Sequence, residues 1–141
     1  MGSKSNYLEL KLLDGVLGGT NYTQPTPNVW IALFTTAPDD ASTSGSPSPG
    51  VEVTGGSYVR LQVTNNATNW PAASGGAKAN GTALTFVQAS ADWGTVVAFA
   101  ICDVVSGAGN ILYWGAISPT KNIQSGDTAS FAIGDLDITE D

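Results

Sequence analysis

Three phrases in the second half of the chain constrain its fold more than anything else in the sequence. They are Trp93-Gly94-Thr95-Val96-Val97-Ala98-Phe99-Ala100-Ile101, Asn110-Ile111-Leu112-Tyr113-Trp114-Gly115-Ala116-Ile117 and Gly126-Asp127-Thr128-Ala129-Ser130-Phe131. β-branched and aromatic residues pack across a pleated surface, and the Gly, Asn, Asp and Ser between them supply turns, so each phrase reads as a strand. Residues 29–36 (Val-Trp-Ile-Ala-Leu-Phe-Thr-Thr) are apolar on both faces, which suits a strand in mid-sheet. Residues 57–64 alternate, with Tyr58, Arg60, Gln62 and Thr64 on one side and Val59, Leu61 and Val63 on the other. Residues 82–88 turn Leu84 and Phe86 inward, and short strands are expected at 51–54 and 135–139. Seven or eight strands at this spacing predict a mainly β chain, an antiparallel β-sandwich or jelly-roll-like barrel.

One helix is expected, over 5–17. Leu8, Leu12 and Val16 recur at i+4, Leu13 and Leu17 widen the stripe, and Gly18-Gly19 ends it. Residues 1–19 are thus expected to form an N-terminal helix or arm, and 20–141 a single sandwich domain. Pro25 and Pro27 make 20–28 an extended connector. Residues 37–50, almost all Ala, Pro, Asp, Ser, Thr and Gly, offer nothing to bury and are expected to be an exposed loop that orders only against a partner. Residues 65–81 read as a second loop, relieved by Trp70-Pro71, and 103–110 as a hairpin connection.

Charged residues are only 12% of the chain, about half the usual share, so Thr, Ser, Asn, Gly and Ala must cover much of the surface. Such a surface is cheap to desolvate and suits a protein covered by neighbours. Twelve acidic against five basic residues give a net charge of −7, and Lys4, Lys11, Arg60, Lys78 and Lys121 are dispersed. That balance argues against nucleic acid or an anionic membrane as partner. No apolar stretch reaches the length of a membrane span, and the N-terminus does not read as a secretion signal. Cys102 cannot form an intrachain disulfide and sits in an apolar strand, as a small buried hydrophobe would.

Catalysis has little to work with. There is no histidine, Cys102 has no neighbouring activator, and the Asp39-Asp40 pair lies in the long loop, where catalytic geometry is hardest to hold. No cofactor or metal is expected, although Asp135 and Asp137, near Glu140 and Asp141, could gather around calcium as well as form a solvated acidic end. Asn-X-Thr triplets at Asn21, Asn66 and Asn80 match the glycosylation pattern, which a chain rich in Asn and Thr also produces by chance. Trp30, Trp70, Trp93 and Trp114 could stack on sugars, which keeps a lectin-like receptor-binding module open; only Trp70 lies in an evident loop.

The order and spacing of several phrases carry a resemblance. Leu12-Leu13-Asp14-Gly15-Val16-Leu17-Gly18-Gly19-Thr20, the run from Val29 to Pro38 and Gly55-Gly56-Ser57-Tyr58-Val59-Arg60 are similar to a family of short virion structural proteins of tailed bacteriophages. Asp92-Trp93-Gly94-Thr95, Leu112-Tyr113-Trp114-Gly115 and Gly126-Asp127-Thr128 extend the resemblance nearly end to end. It implies a non-enzymatic particle component, made in the host bacterial cytoplasm and located in the virion. Such a component is either a capsid cement or decoration protein that contacts the major capsid protein, or a tail fibre protein. With no heptads or shaft repeats, the sequence favours cement, with tail fibre as the alternative. Homo-oligomerisation is expected, through Leu8, Leu12, Val16 and Leu17 of the helix and through Pro38, Asp39 and Trp70 of the loops.

Overall fold

The computed structural model describes residues 2–140. Ten strands and one helix follow in the order β1 (Gly2–Lys4), α1 (Asn6–Leu17), β2 (Asn28–Thr36), β3 (Val51–Glu52), β4 (Leu61–Thr64), β5 (Ala77–Ala79), β6 (Leu84–Thr85), β7 (Gly94–Cys102), β8 (Ile111–Ile123), β9 (Ser130–Phe131) and β10 (Asp137–Thr139). The main sheet runs β3-β2-β7-β8-β1-β10-β5, with β4 also on β2, and β6 pairs with β9 apart from it. All pairs are antiparallel except β1 with β10. The fold is therefore mainly β and sandwich-like, with its helix near the N-terminus.

Strands β2 and β7 explain the two-faced hydrophobicity of their sequences. Val29, Ile31 and Leu33 point with Phe99 and Ile101 into the larger core, together with Leu84, Phe86, Trp93 and Leu136. Ala32 and Phe34 point with Ala98, Ala100, Cys102 and Ile111 into a smaller cluster on the opposite face. Both strands are flanked on each side, β2 by β7 and by β3 and β4, so their edges are paired, while the two clusters cover the centres of both faces. Tyr58, Phe86 and Trp93 form an aromatic group in which the Tyr58 and Trp93 rings meet nearly edge-on, 5.3 Å apart.

Several elements differ from the sequence expectations. Strand β1, not expected from the sequence, lies between β8 and β10, and Ser5 and Leu8 just after it are buried. Strand β5 lies within the expected loop 65–81, where Ala77, Lys78 and Ala79 pair with Thr139, Ile138 and Asp137. Strand β8 runs on to Ile123 through Pro119, across a register shift against β7.

The alternation expected for 57–64 breaks at its centre. Val59 is 61% exposed whereas Arg60 is 7% exposed. Arg60 is drawn inward by acceptors: its Nε and Nη2 donate to both Glu52 carboxylate oxygens, and its remaining donors reach the carbonyls of Ser44 and Val104. Tyr58 donates to the same carboxylate and accepts the Leu33 N–H. Burial, then the charge of Glu52, raises the pKa of Tyr58, so its hydroxyl stays a donor.

The segment 37–50 has its own internal support. Ser42 and Ser44 are each 4% exposed. Ser42 Oγ accepts the Asp39 N–H and places its single proton among the Asp39 carboxylate and the Pro47 and Ser48 carbonyls, all within 3.2 Å, and Ser44 Oγ donates to the Gly107 carbonyl. A composition that reads as unable to order alone is held by serine hydroxyls and by Arg60, contributed from elsewhere in the chain.

Asn80 likewise serves the fold. It is 1% exposed, its Nδ2 donates to the Thr82 and Ala132 carbonyls, and its Oδ1 accepts the Leu136 N–H. Asn80→Ala is expected to cost about 1–3 kcal/mol through the unpaired Leu136 N–H alone. Urea denaturation reads that loss, and an unchanged midpoint would contradict it.

Candidate interaction surface

Helix α1 starts where Ser5, at the N-cap, accepts the Leu8 N–H at 3.4 Å. The Ser5 hydroxyl also donates to the Ile111 carbonyl and its N–H to that of Leu112, fastening the helix start to β8. At the other end the Gly18 N–H closes on the Asp14 carbonyl, and Gly19 takes a left-handed φ of 71° that a side chain would strain.

The helix presents two apolar faces rather than one stripe. Leu8 is 2% exposed and Leu12 packs half-buried against the larger core. Leu10, Leu13 and Leu17, at i, i+3 and i+7, are 62%, 58% and 84% exposed, and Val16 is 79% exposed. Single exposed leucines are ordinary, but four large apolar residues within eight positions of one helix make a patch. Covering each would contribute about 1.5–3 kcal/mol at full burial. Glu9 and Asp14 border this patch, and the last turn carries no basic residue. Its free carbonyls add further negative potential.

Beside the helix a cleft of about 230 Å³ opens between α1, residues 22–25 of the connector, the sheet and the 65–81 segment. Leu8, Leu12 and Leu112 are part of its apolar lining, Tyr22, Trp70 and Tyr113 supply rings, and Lys78 is the one charged residue facing it among the described residues. The Lys78 ammonium donates to the Pro71 carbonyl at 2.8 Å. The Trp70 indole N–H is buried without a partner among the described residues. Burial first, then the nearby Tyr7 and Asp103, raises the pKa of Tyr22; burial, then Glu140, pushes Tyr113 up to about 12. A larger groove of about 560 Å³ runs along the second half of β8 and is lined by Phe99, Ile117, Phe131, Lys121 and Asp135 among others.

The expected contact residues do not form one surface. Leu8 belongs to the chain's own core and Leu12 packs against it, while Val16 and Leu17 stand in solvent. Pro38 is buried, and Asp39, though exposed, spends one carboxylate oxygen on the Ala41 N–H and the Ser42 hydroxyl. Trp70, at 8% exposure, lines the cleft from a loop position. Leu10 and Leu13 complete the outer patch; their spacing with Leu17 was the available signal. The meeting of Tyr22, Lys78 and Tyr113 had none, because they come from the connector, β5 and β8.

Cys102 is fully buried, and burial pushes its thiol up to about 12, far from a reactive thiolate. Among the described residues no group of three or more His, Cys, Asp and Glu side chains is placed to hold a metal ion. Glu140 pairs instead with Lys4, and Asp135 accepts the Ala132 N–H. No described helix is long and apolar enough to cross a membrane.

The small sandwich thus carries an uncovered leucine face and an apolar cleft side by side. Residues 3–139 match the family described as podophage GP4 fiber I protein gp80. The chain belongs to that family and is a phage fibre-type structural protein, a component of the virion. No curated protein matches the chain.

Proposed function

We propose that the protein is a tail-fibre subunit that works by non-covalent assembly and catalyses nothing. The uncovered leucine face of α1, on a chain matching a fibre family over 3–139, carries this reading. Catalysis would need a positioned nucleophile, acid–base pair or metal. The chain has no histidine, its one thiol is buried and protonated, and several of its carboxylates are spent on turns or ion pairs.

Capsid cement is the second reading, supported by the absence of heptads and shaft repeats, and its partner would be the major capsid protein. Particles lacking the protein separate the two. As a tail-fibre subunit, its loss is expected to block adsorption while the genome stays packaged through heating and osmotic shock, and labelling places a few copies on the tail. Copies by the hundred over the shell, with genome loss at lower temperature when they are missing, would overturn the tail assignment, because a cement protein stabilises the assembled shell by linkage.

A further inference from the structure

We propose that the outer face of α1 in one copy docks into the cleft beside α1 in a second copy. Two unmet needs lie on the same molecule. Leu13 and Leu17 stand in water at 58% and 84% exposure, and an open cleft of about 230 Å³ has an apolar lining and an aromatic rim. A cleft of that size takes side chains rather than a helix backbone, which is what a leucine face offers.

Charge selects a second copy as the occupant. The leucine face is bordered by Glu9 and Asp14 and ends in a turn without a basic residue, whereas among the described residues the one charged side chain lining the cleft is Lys78. A chain of net charge −7 repels its copies over most orientations. The pairing that brings Asp14 to Lys78 relieves that repulsion and lays the leucines over Leu8, Leu12 and Trp70. Donor face and acceptor cleft are different patches, so contacts are either exchanged reciprocally across a two-fold axis or repeated head to tail into a ring or filament.

The proposal deepens the assembly reading, but it is tested on the purified 141-residue chain, away from the particle, so its failure is distinguishable from failure of the tail assignment. Sedimentation over a concentration series is expected to show dimers or larger species. Leu17→Asp removes the donor and Lys78→Glu reverses the acceptor; both positions are outside the buried core, and circular dichroism checks that each variant stays folded. Each is expected to weaken association by at least about ten-fold. Mixing the two variants is expected to restore a complex, since each supplies the surface that the other lacks. A protein that stays monomeric throughout the series overturns the proposal. So does an effect of Leu17→Asp without one of Lys78→Glu, which would place the leucine face against another surface, or a mixture that fails to associate.

Discussion

A chain lacking residues 2–19 is expected to be unfolded rather than merely unable to assemble. Strand β1 is the link between β8 and β10: Gly2 pairs with both Gly115 and Ile138, and Ser3 and Lys4 continue along Trp114 and Tyr113. Without it, β10 and its partner β5 lose their connection to the main sheet. Leu8 leaves the core at the same time, and truncating such a residue to Ala already costs about 2–5 kcal/mol. The Ser5 contacts to the Ile111 and Leu112 carbonyls are lost as well, leaving buried acceptors unpaired. Together these losses match the roughly 5–15 kcal/mol by which a domain is stable. Far-UV circular dichroism and urea titration read the outcome. A truncated chain that keeps β structure and unfolds cooperatively would show that the N-terminal segment is an accessory arm after all.

Arg60→Ala is expected to be the most destabilising single polar substitution, at about 3–5 kcal/mol, because it strands a partly buried carboxylate. The Arg60 and Glu52 side chains are 5% and 17% exposed, and the closest N–O distance between them is 2.7 Å. The same guanidinium binds the Ser44 carbonyl at 2.8 Å and that of Val104 at 3.2 Å, so one side chain ties the 37–50 segment and the 103–110 connection to β3. Lysine cannot reproduce the two-pronged contact with Glu52, so Arg60→Lys is expected to recover only part of the loss. Replacing both partners by apolar residues should cost less than Arg60→Ala alone, since no charge is then left buried. Denaturation midpoints of the three variants test this ordering. Equal stability of Arg60→Ala and the parent would mean that the pair is exchanged for water at no cost.

Both expectations come from places where local pattern and tertiary structure part company. The pattern was right about β2, whose two apolar faces were legible as a central position because a strand packed on both faces must be apolar all round. It also located α1 to within a residue and its Gly18-Gly19 stop, since a glycine end is local chemistry, while the N-cap role of Ser5 came from the structure. It could not divide the leucines of α1 between inside and outside. Five leucines and a valine on twelve residues allow several core-facing registers, and the Ser5 anchor to β8 chooses the one that buries Leu8.

What the sequence by itself determined is the class of the protein: a β chain with one helix, few charges and no histidine, similar to phage virion proteins over most of its length. Tertiary structure alone decided the rest. Gly2–Lys4 and Ala77–Ala79 have no strand pattern of their own and become strands because β8 and β10 offer them hydrogen-bond partners. Arg60 turns inward because Glu52 and two distant carbonyls await it, and the cleft exists only where the connector, β5 and β8 converge. Periodicity records which side of a segment is apolar, but the burial of a polar group depends on partners that can lie anywhere along the chain.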